Sequence, residues 1–215
     1  MELETGTLVQ GLVLIFALAL AFLAYNFPAR VLAPLRARGR SSAQAKRHFI
    51  QGAQLLAQAR SAPSKKDSLS LARSSLNQAD QALTLDPKDA AAHILKALGL
   101  QLLGQLPQAL ASLDNALSPP ALKSLAKSER ADALFKRAEI RLKMEPKSRH
   151  RAELAMADLL AGITMKELEN SRVFCMLGDC YLRKEMVDEA KKAFENALRL
   201  EPSSEEAKAG LASIS

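Results

Sequence analysis

The stretch SRVFCMLGDCYLRKEMVDEAKKAFENALRLEP, residues 171–202, contains two apolar patterns of helical spacing separated by a polar turn. Its large apolar residues include Phe174, Leu177, Tyr181 and Phe194. Gly178 and Ala190 are small, so two helices can approach closely there while large side chains fill the surrounding space. Pro202 ends the second pattern, because proline cannot continue a helix. The stretch therefore predicts two closely packed helices.

The same spacing of small residues occurs earlier in the chain. In AAHILKALGLQLLGQLPQALASLDNAL, residues 91–117, Ala97, Ala109 and Ala116 lie 12 and 7 positions apart, as the small residues of the later stretch do. Both stretches resemble the tetratricopeptide repeat, whose period is about 34 residues. Residues 171–202 match its signature positions, with Phe174 in place of the usual Trp. The resemblance covers about residues 43–215.

Two further copies are less regular. Ala82 lies 34 residues before Ala116, and Pro87 stands where a repeat stops, so an earlier repeat ends there. We expect its first helix to contain Phe49, Ala53 and Leu56. The other copy lies within residues 130–163 and supplies Leu134, Ala138, Leu159 and Gly162. Both copies are expected to have enlarged inter-helix turns, the first through SAPSKKDS at residues 61–68. We expect four repeats, at about 46–89, 90–122, 131–169 and 171–204, and a capping helix at 205–215.

Composition agrees with an all-α fold. The 215 residues are 48% hydrophobic but only 4% aromatic, and no segment shows a clear strand-type alternation. Residues 1–60 contain seven Lys or Arg and two Glu, so they carry +5 of the formal net charge of +7. The body beyond residue 60 is therefore only weakly basic. A tetratricopeptide-type helical solenoid preceded by one transmembrane helix is the predicted architecture.

The transmembrane helix is predicted from the opening of the chain. No charged residue occurs between Glu4 and Arg30, and a helix of these 25 residues would span about 37 Å, more than the hydrocarbon core of a bilayer. Residues expected in the span are Leu8, Leu12, Ile15, Phe16, Phe22 and Tyr25. Pro28 is expected to end the helix, and Pro34 to keep the following linker extended. Residues 1–40 are thus predicted as anchor and basic linker, and 41–215 as the repeat domain.

The charges around the span predict its orientation. The acidic start lacks the positive region of a cleaved signal peptide, so an uncleaved anchor is favoured, with cleavage as the alternative. The Lys and Arg residues between Arg30 and Arg47 all follow the span, which places the N-terminus outside and the repeats in the cytosol. This single-pass layout resembles signal-anchored receptors of mitochondrial or plastid outer membranes, and it would also suit the endoplasmic reticulum.

The resemblance implies an adaptor that binds a peptide segment or partner protein in a concave groove, without catalysis or cofactors. Family positions facing the groove correspond here to Gln54, Ile94, Leu98, Gln101, Phe135, Lys136, Glu139, Arg172, Met176, Asp179 and Arg183. Arg47, Gln51, Leu102, Asp132 and Lys143 occupy equivalent positions. Some co-chaperones of the family clamp a terminal carboxylate with Lys, Asn and Arg. The corresponding residues here are Ile50, Gln54, Leu95, Asp132 and Lys136, of which only Lys136 fits, so binding of such chaperones is not expected.

Other functional classes have less support in the sequence. The three His residues are scattered, and Cys175 and Cys180 have neither a redox nor a metal-ligand spacing, so no metal site is expected. His93 stands where a repeat has a packing residue. Helical-repeat RNA binding remains an alternative, although the weakly basic body makes nucleic acid an unexpected partner. A scaffold or assembly factor that uses its convex surface is the other alternative.

Overall fold

The computed structural model describes residues 13–22 and 29–214. These residues form helices joined by short connections and contain no β-strand, which confirms the all-α prediction for the described part of the chain. The helices are α1 (residues 13–22), α2 (Ala29–Ser61), α3 (Lys65–Leu85), α4 (Ala90–Leu102), α5 (Leu106–Ala116), the short 3-10 helix η1 (Ala121–Ser124), α6 (Lys127–Met144), α7 (Arg149–Thr164), α8 (Ser171–Arg183), α9 (Val187–Leu200) and α10 (Glu205–Ala212).

The chain divides into two compact units, Met1–Ala43 and Gln44–Ser215. Within the second unit, helices that follow one another pack in pairs, α4 on α5, α6 on α7 and α8 on α9. Each pair also contacts the next one, since α3 packs on α4, α5 on α6 and α7 on α8, while α10 covers α8 and α9. This stacking of helical pairs is a solenoid of the tetratricopeptide type.

Side-chain caps begin most of the helices of the second unit. The capping residues, which accept a hydrogen bond from a backbone N–H of the first helical turn, are Ser64, Asp89, Ser148, Asn170 and Ser204. Such residues satisfy N–H groups that have no partner within the helix. The pairs α4–α5 and α8–α9 turn through residues with positive φ, Gly104 and Glu185. Local sequence therefore sets five of the helix starts and two of the turns.

Two predictions about the connections are wrong. The expected enlarged turns are short, because residues 62–64 join α2 to α3 and residues 145–148 join α6 to α7. The additional residues lengthen the helices instead, since Ser64 caps α3 and residues 65–68 form its first turn. The linker around Pro34 is helical, not extended. Leu, Ala and Arg around Pro34 favour a helix, and this preference outweighs the loss of one backbone hydrogen bond.

The predicted span is described only in part. Ile15, Phe16 and Phe22 lie in α1, where their side chains are 66–69% exposed. Leu8, Leu12, Tyr25 and Pro28 lie outside the described residues. Among residues 13–22 and 29–214, no helix is both long enough and apolar enough to cross a bilayer.

Small residues occupy the contacts between helices. Ala97, Ala109 and Ala116 are fully buried, as their spacing predicts, and so are Ala190 and Ala197 in the later pair. His93 is half-buried, with Nε2 lying 3.1 Å from the carbonyl oxygen of Pro87. Cys175 and Cys180 are buried and free, and burial raises the pKa of both thiols, that of Cys180 to about 12. Such thiols are unreactive, so both cysteines serve packing.

Candidate functional site

An open cavity of about 630 Å³ lies within the second unit, against the first helices of three successive pairs. Its apolar lining includes Phe49, Leu56, Ile94, Leu98, Leu125 and Phe135. Its polar lining is Arg60, Glu129, Asp132, Lys136 and Asn170. This volume is that of a typical ligand pocket, and an apolar lining with a few charged groups is the usual composition of such sites.

Several of the predicted groove residues meet at this cavity. Ile94 and Leu98 of α4 face Phe135 and Lys136 of α6 across it. The α4 and α6 side chains project into it because residues four apart in sequence lie on one face of a helix. These residues of α4 and α6 therefore border the same cavity.

Helix α2, the first helix of the first repeat, does not place its predicted groove residues at this cavity. Arg47 and Gln51 line a separate pocket against α3, and Gln54 is exposed and lines neither cavity. The cavity receives the apolar stripe of α2 instead. That stripe consists of Phe49, Ala53, Leu56, Ala57 and, at its end, Arg60. Its spacing of i, i+4, i+7 and i+8 is one helix face, so the hydrophobic pattern predicts the orientation of α2 better than family position does.

The remaining predicted residues lie away from the cavity lining. Met176 is 7% exposed and belongs to the core around α7 and α8. Gln101 is half-buried near the end of α4. Asp179 and Arg183 are half-buried on α8. Burial raises the pKa of the Asp179 carboxyl, and the nearby Arg183 offsets this in part.

Glu139 is buried beneath three cations. Its side chain is 7% exposed, and it accepts hydrogen bonds from Lys136 (3.0 Å), Lys143 (3.0 Å) and Arg172 (2.9 Å). Burial alone would raise the pKa of this carboxyl. The hydrogen bonds and charges of Lys136 and Lys143 outweigh burial and lower the pKa to about 2. Glu139 is thus a charged residue that holds its neighbours, rather than a surface group available to a ligand.

Phe135 connects this cluster to the cavity. The Lys136 Nζ atom lies 5.4 Å from the centroid of the Phe135 ring, and the Arg172 guanidinium carbon lies 5.5 Å from it. Both distances are those of a cation–π contact. The cavity wall at Phe135 therefore has positive charge beside it.

A second ion network lies between α5, α6 and α7. Arg137 donates to both oxygens of Asp158, at 2.6 and 3.0 Å, and to Asp114 at 2.9 Å. Arg141 donates to Asp158 and, at 3.0 Å, to the carbonyl oxygen of Leu154. Asp158 is 4% exposed. The sequence shows an Arg pair at i and i+4, but the acids to which the pair donates lie 17 to 23 positions away, so the network leaves no local pattern in the sequence.

Several residues of the cavity lining were not predicted, among them Leu125, Leu168 and Ala57. Leu125 and Leu168 reach it from the connections before α6 and α8, and Ala57 is exposed at its edge. Counting positions along a helix does not reach residues of the connections. Within the described residues, no group of three or more His, Cys, Asp or Glu side chains could hold a metal ion.

Comparison with known proteins identifies the fold. Residues 171–204 match the tetratricopeptide repeat family. MamA (residues 41 to the end) from Desulfovibrio magneticus RS-1 superposes with a TM-score of 0.63 at 17% identity, covering 80% of this chain and 83% of that one. YrrB, described as a tetratricopeptide protein with an unusual peptide-binding site, gives 0.58 at 18% identity, with 74% of each chain covered.

A third solved structure, PilF of Pseudomonas aeruginosa, gives a TM-score of 0.56 at 22% identity and covers 82% of this chain and 68% of that one. No curated protein sequence matches the chain. Identities of 17–22% establish a shared fold and nothing finer. The described residues of the second unit form a tetratricopeptide-type solenoid, and residues 171–204 within it are a tetratricopeptide repeat.

Proposed function

We propose that this chain is a membrane-anchored adaptor that binds a peptide segment or partner protein in the cavity between α2, α4 and α6. The cavity itself is the observation that carries this proposal. Its apolar side chains, among them Phe49, Leu98 and Phe135, come from three stacked pairs and border open space. A short amphipathic segment can bury apolar side chains there and keep its polar groups in water.

The fold supports binding rather than chemistry. Stacked helical pairs form extended curved surfaces that proteins use for recognition, and the neighbour YrrB is described as having a peptide-binding site. In the proposed role the protein is not an enzyme and needs no cofactor. Its partner is another protein or a peptide, and neither nucleic acid nor carboxylate-clamp chaperones are expected to bind.

The anchor is proposed from the opening segment. Residues 5–29 contain no charge, and in α1 the large apolar side chains of Val13, Leu14, Ile15, Phe16, Leu18, Leu20 and Phe22 are 53–69% exposed. Contiguous apolar surface of this kind requires a lipid or protein cover. The Arg and Lys residues that follow favour a cytosolic repeat domain, with the N-terminus on the other side of the membrane. The mitochondrial or plastid outer membrane and the endoplasmic reticulum are the candidate locations.

The test of the binding site is to fill the cavity. Ala57 is exposed and lines the cavity, so Ala57→Trp adds bulk there without disturbing a packed contact. In proximity labelling from the intact protein, this variant should no longer label the partners that bind in the cavity. Lys191→Glu with Lys192→Glu, on the exposed surface of α9, is the control and should keep them. Loss of partners in the α9 variant but not in Ala57→Trp would instead support a scaffold that uses its outer surface.

A further inference from the structure

Lys143 and Arg172 form a pair of exposed cations fixed on one buried oxygen. Lys143 Nζ and Arg172 Nη2 lie 3.0 and 2.9 Å from the same Oε1 atom of Glu139, so the two nitrogens are less than about 6 Å apart. Their side chains are 55% and 58% exposed, whereas the Glu139 side chain is 7% exposed. Two positive charges are therefore held close together at the surface.

The cluster has unsatisfied positive charge. Lys136, Lys143 and Arg172 surround one carboxylate, which leaves a local net charge of +2. An ammonium has three donors and a guanidinium five, and the bonds to Glu139 use one donor of Lys143 and one of Arg172. Among the described residues, neither forms an ion pair with any other acid. An anion from outside can thus bind both cations without breaking an existing hydrogen bond.

The cluster is continuous with the cavity. Lys136 lines the cavity and also donates to Glu139, and Phe135, which lines it too, lies beside the Arg172 guanidinium. A segment that places apolar side chains in the cavity would therefore have its next residues beside Lys143 and Arg172. Charge complementarity then selects the kind of residue that follows.

We propose that Lys143 and Arg172 bind a side-chain carboxylate of the peptide whose apolar residues occupy the cavity, with Glu139 as the residue that positions both cations. This inference rests on the proposed function and adds the chemistry of the partner, an Asp or Glu next to an apolar run. Two donors less than about 6 Å apart suit a single carboxylate. Asp132 lines the cavity at the other end of the same face of α6, where its negative charge disfavours a second acid in the bound peptide.

The experiment selects peptides on the full-length protein in detergent micelles. The probe is a library of random peptides displayed with both ends fused, so that none presents a terminal carboxylate. Bound peptides should be enriched in Asp or Glu beside apolar residues. Replacement of the acid by its amide in a selected peptide should weaken binding about tenfold, because a charge-assisted hydrogen bond is lost.

Charge reversal supplies the decisive comparison. Lys143→Glu with Arg172→Glu should select peptides enriched in Lys or Arg, and the milder Lys143→Gln with Arg172→Gln should abolish the acidic preference without reversing it. Lys191→Glu with Lys192→Glu changes the net charge by the same amount on α9 and should select acidic peptides as the unmodified protein does.

The outcomes separate the two proposals. If no peptide is selected, or if Ala57→Trp binds the selected peptides unchanged, the cavity is not a peptide site and the proposed function fails. If Ala57→Trp abolishes binding but the peptides show no acidic preference, or the Gln variant keeps that preference, only the carboxylate site is wrong. Loss of the preference in the α9 control would show a general charge effect and would also overturn it.

Discussion

At the scale of single residues, Glu139 is the buried carboxylate that pairs with the three cations beside the cavity. Its folded pKa of about 2 lies below the ordinary value of 4.5, so folding favours the ionised carboxylate. The stability that results is fully present above about pH 5 and is lost as the pH falls towards 2. Glu139→Gln should therefore destabilise the protein by about 1–3 kcal/mol near neutral pH.

The test is how the difference in unfolding free energy between the unmodified protein and Glu139→Gln depends on pH. Chemical denaturation of the unmodified protein and of Glu139→Gln should give unfolding free energies that converge as the pH falls from about 5 to about 2, because Glu139 is protonated first in the unfolded state and only near pH 2 in the folded state. Glu205→Gln serves as the control, since its carboxylate is 85% exposed and pairs only with Lys208 in the described structure. A difference for Glu139→Gln that stays constant with pH would show that its charge does not contribute.

A second prediction at this scale concerns the packing of the Phe194 ring against two glycines. A Cβ atom added at Gly178 would lie 2.6 Å from the Phe194 ring, and one added at Gly210 would lie 2.4 Å from it. Phe194 is fully buried, so the ring has little space to move. Gly178→Ala and Gly210→Ala should each lower the free energy of unfolding by about 1–3 kcal/mol, although alanine favours helix more than glycine does.

Gly99 is the matched control, because a Cβ there would meet its nearest atom at 3.6 Å, an ordinary contact. Gly99→Ala should be neutral or stabilise α4 by up to about 1 kcal/mol in thermal or denaturant unfolding. Phe194→Leu combined with Gly210→Ala should cost less than the sum of the two single changes. Additive costs would mean that the ring is not what excludes the added methyl group.

At the scale of helices, the Asp158 network joins α5, α6 and α7. Asp158→Ala would leave Arg137 and Arg141 charged and only partly paired, and such a change in a buried network costs about 3–5 kcal/mol. Asp114→Ala removes ion pairs to Arg137 and Arg141 from a carboxylate that is 49% exposed, so its cost should stay below about 1 kcal/mol. Denaturant unfolding of the two variants measures the contrast. Equal small losses would show that Asp158 contributes no more than a surface pair.

Helices also show what the sequence could and could not predict. The repeated small residues, such as Ala97 and Ala190, predict the helical pairs because close contact between helices excludes larger side chains. The turn at residues 62–64 was not predicted, because a Ser-Pro-Lys-rich segment reads as a loop unless the capping role of Ser64 is recognised. The orientation of α2 follows its apolar stripe from Phe49 to Leu56, whereas family positions give a different face.

The candidate site was predictable only where one helix face determines it. Ile94, Leu98 and Phe135 follow from the family positions that the resemblance implies, and the structure places them together at the cavity. Leu125 and Leu168 enter from irregular connections, whose path depends on how neighbouring pairs stack. The role of Glu139 depends on Arg172, which lies 33 positions away on another helix. Contacts of this separation arise from tertiary structure and have no periodic signal in the sequence.

At the scale of the whole molecule, the proposed function depends on which side of a membrane the repeats occupy. The uncharged segment 5–29 is followed by Arg residues, and positive flanks are retained on the cytosolic side. Protease added to sealed organelles or microsomes should therefore digest residues 41–215 and leave a small protected fragment. The same treatment after addition of detergent should remove that fragment. Full protection of the repeats in sealed vesicles would overturn the topology.

Exchanging the charges on the two sides of the proposed span tests whether they determine its orientation. Arg36, Arg38 and Arg40 lie close enough to the proposed span to influence its insertion, because the positive-inside rule acts within about 15–20 residues of the ends of a span. Changing all three to Glu, with Glu2 and Glu4 changed to Lys, should place part of the population with the repeats protected. Because the cavity is lined by residues beyond 44, the inverted molecules keep a formed cavity on the wrong side of the membrane. The inverted molecules should lose their cytosolic partners in proximity labelling, while their unfolding temperature should not change. If the same partners are still labelled, anchoring does not control access to the cavity.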